Sequence, residues 1–100
     1  MKKIISYLGF AKKSHNIITG QTALKKNKKQ LFVILTDLSA SDNLQNLAKN
    51  LAVKHGCKYF VCPTNLEELI NEENIKILGL TDENLSRAII DNMERAIKEN

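Results

Sequence analysis

Gly20, Gln21 and Thr22 precede four lysines set into five positions, Lys25, Lys26, Lys28 and Lys29, with Ala23, Leu24 and Asn27 interspersed. A glycine, small polar groups and then closely spaced cations are the equipment for holding phosphate. The glycine lets backbone approach a ligand, the first amides of a helix carry partial positive charge, and lysines add long-range attraction. A nucleotide-binding P-loop needs GxxxxGK followed by Ser or Thr, so that glycines free the amides to cradle phosphates while the hydroxyl holds magnesium. Gly20 has no second glycine before Lys25 and Lys26. What remains is a grip on a sugar-phosphate backbone.

The rest of the chain sharpens that reading. Residues 1–36 hold eight lysines and no acid, whereas residues 37–100 hold seven Lys and Arg against eleven acids, for a net charge of +4 over 100 residues. Solvated surfaces usually mix signs. At a Debye length of about 8 Å, an unbroken positive segment attracts polyanions, and nucleic acid is the first partner to consider.

Other chemistries are poorly equipped. Asp37 follows an apolar run, where α/β enzymes keep catalytic groups, but no nucleophile or base accompanies it. Glu67, Glu68, Glu72 and Glu73 read as a solvated face rather than as a shielded acid/base pair. His15 reads as a turn residue. Cys57 and Cys62 read as buried thiols on opposite faces of a strand, and with His15 and His55 they make no zinc-ligand spacing. No metal, cofactor or catalytic residue is expected. Among the aromatics, Phe32 and Phe60 fall in apolar runs, so a platform of exposed rings for single strands has little support and structured RNA fits better.

The elements that must position these residues follow from periodicity. Ile4, Ile5, Leu8 and Ala11 predict a helix over about residues 3–13, Ile17 and Ile18 a strand stub ending at Gly20, and residues 21–28 a short helix with Thr19 as its cap. LFVIL is a buried-strand run. Ser39 or Ser41 then caps a long helix with Leu44, Leu47, Ala48, Leu51 and Ala52 on one stripe, closed by Gly56. CKYFVC predicts a strand stopped by Pro63, Thr64 or Asn65 starts a short helix, and IKILGL predicts the next strand. Thr81 or Asp82 caps a last helix with Leu85, Ala88, Ile89, Met93, Ala96 and Ile97 inward. Alternating apolar strands and amphipathic helices predict a three-layer α/β/α sandwich, with about four strands in one domain over residues 1–100.

LGFAKKSHNIITG, residues 8–20, resembles the LGLAxRAGKLVSG opening of small bacterial relatives of the kink-turn-binding ribosomal proteins, the seven-Ae and thirty-e type. The likeness continues through LFVILTD, KYFVCPTNLEEL and IKILGLTDENLSRAI, over residues 4–90. It implies that the helix after Gly20 docks in the widened groove of an RNA kink-turn, where sheared G·A pairs expose base edges. Family members that bind well read approximately GxNExxK there. Gly20 and Lys26 match, Thr22 stands for the Asn and Ala23 for the Glu. A hydroxyl replaces a two-sided amide contact and a methyl replaces an acceptor, which by analogy with DNA weakens base readout by ~1–3 kcal/mol per lost contact. In the family's LGxAIG-like turn against the flipped nucleotide, Leu66 and Ile70 keep apolar positions, while Glu67 and Asn71 stand where glycines would be.

The expectation is therefore a non-catalytic, cytoplasmic, monomeric RNA-binding protein, ribosome-associated, with no membrane segment: the longest apolar run, residues 31–35, is far below the roughly 18 residues of a span. Lys25, Lys26, Lys28 and Lys29 would hold phosphates, Gly20 and Gln21 would admit the backbone, Thr22 would contact a base, and Lys12 and Lys13 would widen the footprint. Two alternatives are a protein-interaction module that has lost kink-turn specificity and uses its acidic second half, and a subunit serving an RNA-modifying enzyme.

Overall fold

The computed structural model describes residues 2–99, with side chains through residue 96. Its elements run α1 (Lys2–Lys13), β1 (Ile17–Thr19), α2 (Gln21–Lys26), β2 (Val33–Thr36), α3 (Asp42–His55), β3 (Lys58–Val61), α4 (Leu66–Ile70), β4 (Ile77–Leu80) and α5 (Glu83–Glu99). The sheet order is β1-β4-β2-β3. β4 pairs antiparallel with both β1 and β2, and β2 pairs parallel with β3 through the α3 crossover.

Side-chain alternation along the two central strands divides the core. Val33 and Leu35 of β2, with Leu78 and Leu80 of β4, face Ile4, Leu8 and Ala11 of α1, Leu66, Leu69 and Ile70 of α4, and Ile89 and Met93 of α5. Ile34 and Ile77, one residue out of step, face Leu24 of α2 and Ala48, Leu51 and Ala52 of α3. A strand's period of two turns successive residues to opposite faces, so each central strand supplies both layers and is buried along its whole length. The α/β/α sandwich with four strands is the fold.

Local signals set most boundaries. Ser41 caps α3, its Oγ accepting from the Leu44 amide at 3.2 Å, and Gly56 ends it in the left-handed region at φ 63°. Asp82 precedes α5 and accepts from the Asn84 amide at 3.0 Å. Thr19, expected to cap α2, does not: the cap position is Gly20, and no side chain bonds the first turn. The LFVIL strand begins two residues later than its apolar run, because Leu31 drops into the α3 layer.

The two cysteines flank β3 and join opposite layers, Cys62 with the α1 side and Cys57 with the α3 side. Both are free thiols; Cys62 is buried, but Cys57 is only half-buried because it lies beyond the end of the edge strand. Burial, with help from the nearby Asp37 charge, pushes the Cys62 thiol up to about 12, which keeps it protonated at neutral pH. The expectation for Ile97 lies outside the described side chains. Among the described residues, no helix is long and apolar enough to cross a membrane.

Candidate nucleic-acid interface

α2 is anchored by a single apolar side chain. Leu24 is buried against the sheet, and it fits there because β4 carries Gly79: a Cβ at that position would lie 3.1 Å from both Leu24 Cδ2 and Leu31 Cδ2. The other end is fixed through backbone. The Gly20 amide donates to the Ile77 carbonyl at 2.9 Å while Gly20 itself sits at φ 88°, a conformation that favours glycine. With Leu24 turned inward, Gln21, Thr22, Lys25 and Lys26 are left facing solvent.

The loop that follows is ordered by three amide and imidazole groups. Asn27 ends the helix; its Oδ1 accepts from the Lys29 amide at 3.0 Å and its Nδ2 donates to the Lys29 carbonyl at 2.8 Å. Gln30 Nε2 donates to the His55 carbonyl at 2.6 Å and to the Leu31 carbonyl at 2.8 Å. The Leu31 amide donates to His55 Nδ1 at 3.2 Å. An accepting Nδ1 requires that nitrogen to be unprotonated, and burial together with the neighbouring Lys54 charge lowers the His55 pKa, so the ring is neutral at physiological pH. The clip ties the lysine loop to the C-terminal end of α3 and presents Lys28 and Lys29 outward.

Lys25, Lys26, Lys28 and Lys29 form no ion pair with any described acid. At the N-terminal end of α2 a cleft of about 160 Å³ is lined by Gly20, Gln21, Leu44, Asn74, Lys76 and Ile77. Asn74 and Lys76, from the α4–β4 connection, are members that the sequence reading does not place there. The one local signal is Asn74 itself, an amide residue that tolerates its positive φ of 62°. The helix tip contributes less than the sequence suggests. α2 has six residues, too short for a developed macrodipole, so the lysines rather than the helix end supply the field.

Four expected contacts need correction. Leu66 and Ile70 are 0% and 3% exposed, turned into the core against α1, so neither can pack on a nucleotide. The five residues of α4 bury their apolar side and leave Glu67 and Glu68 in its first turn. Lys12 is already engaged: its Nζ donates to the Ile70 carbonyl at 3.1 Å and meets Glu72 at 3.0 Å, tying α1 to the end of α4. Lys13 is exposed and pairs with no described acid, but it belongs to α1, on the opposite side of the sheet from α2. The basic N-terminal segment therefore does not form one surface.

The acids are likewise less uniform than a solvated face. Glu72 holds Lys12, and Glu67 accepts from Lys76 at 3.3 Å. Lys76 also lies 3.6 Å from Asp37, which is fully buried. Asp37 Oδ2 accepts from the Ser39 hydroxyl at 2.6 Å and the Ser39 amide at 3.0 Å, and Oδ1 accepts from the Leu66 amide at 2.6 Å. Burial alone would raise its pKa; the Ser39 and Leu66 hydrogen bonds and the Lys76 charge outweigh it and hold the carboxyl below its ordinary value. Asp37 thus joins the end of β2 to the start of α4, supplying the cap that Asn65 does not.

No family model and no curated protein matches the chain. Among solved structures, a protein with unknown function from Bacillus halodurans superposes with a TM-score of 0.74 at 18% identity, covering 89% of this chain and 94% of that one. The likeness is one of fold.

Proposed function

We propose that the protein is a non-catalytic RNA-binding protein that holds structured, kink-turn-like RNA on the surface formed by Lys25, Lys26, Lys28 and Lys29, in a cytoplasmic and ribosome-associated setting. The observation that carries the reading is the density of those four lysines, within five positions of one ordered segment and with no described acid paired to any of them. Lys12, Lys58, Lys76, Arg87 and Arg95 each meet an acid, and the other unpaired lysines among the described residues, Lys2, Lys3, Lys13, Lys49 and Lys54, lie on α1 and α3. Four cations held by an ordered turn suit a phosphate backbone. Thr22, exposed one turn before Lys26, can give one hydrogen bond to a base edge. Gly20 and Gln21 line the adjoining cleft, where Lys76 adds a cation already shared with Asp37 and Glu67. Electrostatic holding dominates, with modest base readout from Thr22.

Reversing two of the charges tests this. Lys25→Glu with Lys26→Glu is expected to weaken binding to a kink-turn RNA by at least about tenfold at low salt, and to reduce the slope of log affinity against log salt by about 2. The circular dichroism and melting temperature should not change, since both side chains are exposed. Equal affinity of the variant across the salt range would remove this surface from consideration. The alternative of an acidic docking module has less support, because Glu67 and Glu72 are occupied by Lys76 and Lys12.

A further inference from the structure

Phe10 is 61% exposed in the middle of the basic segment, although Tyr7, one turn earlier, is half-buried against the core. Helical spacing puts Lys3 seven residues before it, Ser6 four before and Lys13 three after, all on the same side of α1. α1 contains no acid, and Lys2, Lys3 and Lys13 make no ion pair with a described residue. Lys12, the one α1 lysine that is paired, leaves toward α4 and does not share this face.

An exposed ring flanked by free cations matches the two halves of an unpaired nucleotide, a flat base and a charged phosphate. We propose that the Phe10 face of α1 is a second RNA contact, on which an unpaired base stacks while Lys3 and Lys13 hold the phosphates to either side. It rests on the reading of the protein as RNA-binding, but it uses the layer opposite α2. A folded RNA gripped at Lys25–Lys29 would reach it only through a single-stranded extension passing round the β1 edge of the sheet. The occupant is thus a flexible strand, not the structured element itself.

Because the chain has no tryptophan, Phe10→Trp supplies a lone fluorescent reporter at the site. The probe is an oligouridine RNA of roughly 10 nucleotides, long enough to cover such a platform. Saturable quenching of the reporter by this RNA, with about tenfold weaker binding of Phe10→Ala measured by anisotropy, is the expected result. Absence of quenching, or equal affinity of Phe10→Ala and the parent, overturns the proposal. A blue shift of the reporter on phosphatidylserine vesicles without quenching by RNA overturns it in favour of a lipid surface. The Lys25→Glu, Lys26→Glu variant separates the two readings. If it loses a kink-turn RNA but still quenches with oligouridine when it carries the reporter, both surfaces stand. If quenching fails while that variant still loses the kink-turn RNA, only the α1 contact is wrong; if quenching holds and kink-turn binding is unaffected, only the α2 surface is wrong.

Discussion

Two regions of this molecule carry lysine, and they use it in opposite ways. At one side Lys76 stands between the buried Asp37 and the half-buried Glu67; its hydrogen bond to Glu67, reinforced by the Asp37 charge, raises the lysine's pKa. At the other, Lys25, Lys26, Lys28 and Lys29 stand on a short helix and a turn and pair with no described acid. The first lysine is part of the framework and the others are available to a ligand. Surface lysines are therefore not equivalent, and what separates them is the presence of a carboxylate delivered by a different element.

The largest effect should come from breaking the framework side. Asp37→Ala removes the acceptor for the Leu66 amide and for both Ser39 donors, and is expected to cost about 3 kcal/mol in urea unfolding. The folded-state pKa of Asp37 is lowered, so its contribution is present above the unfolded carboxyl value of about 4 and is lost as pH falls through the lower folded value. The difference between parent and variant should accordingly be full at pH 7 and shrink in acid. A difference that grew toward low pH would contradict the assignment.

Gly79→Ala tests how the ligand side is held. The added methyl meets Leu24 and Leu31, the residues that seat α2 and the lysine loop, and should cost about 1–2 kcal/mol while lowering RNA affinity together with stability. Unaltered stability would mean that α2 shifts freely and that the packing against Gly79 does not position the loop. The smallest effect is expected at Lys12. Its pair with Glu72 is partly exposed, so Lys12→Ala should change stability by at most about 1 kcal/mol, and kink-turn RNA affinity much less than Lys25→Ala does. Equal losses for the two would erase the distinction between matched and free lysines.

How much of this is legible in the sequence varies with the range of the interactions involved. Ser41 and Gly56 mark the ends of α3, since a hydroxyl cap and a left-handed closing residue act within one turn of chain. Thr19 fails as a cap because the backbone at Gly20 is held by Ile77 of β4, a partner that local sequence does not name. Leu66 and Ile70 take a surface role by resemblance to a loop, yet α1 covers them. Phe10 lies off the Ile4, Leu8 and Ala11 stripe, and its 61% exposure shows that neither α4 nor α5 hides it.

The order of residues alone determined the alternation of strands and helices, the buried stripes of α3 and α5 and that of α1 apart from Ile5, which is 44% exposed, and the concentration of positive charge in the first 36 positions. Those properties depend on periods of two and 3.6 residues and on counting, which need no knowledge of distant neighbours. Only the tertiary structure decided which cations remain free, because Lys12 meets Glu72, and Lys76 meets Asp37, across long stretches of chain that come together only when the elements pack. It also divided the basic segment between the two sides of the sheet, since the chain crosses at the β1 edge between α1 and α2.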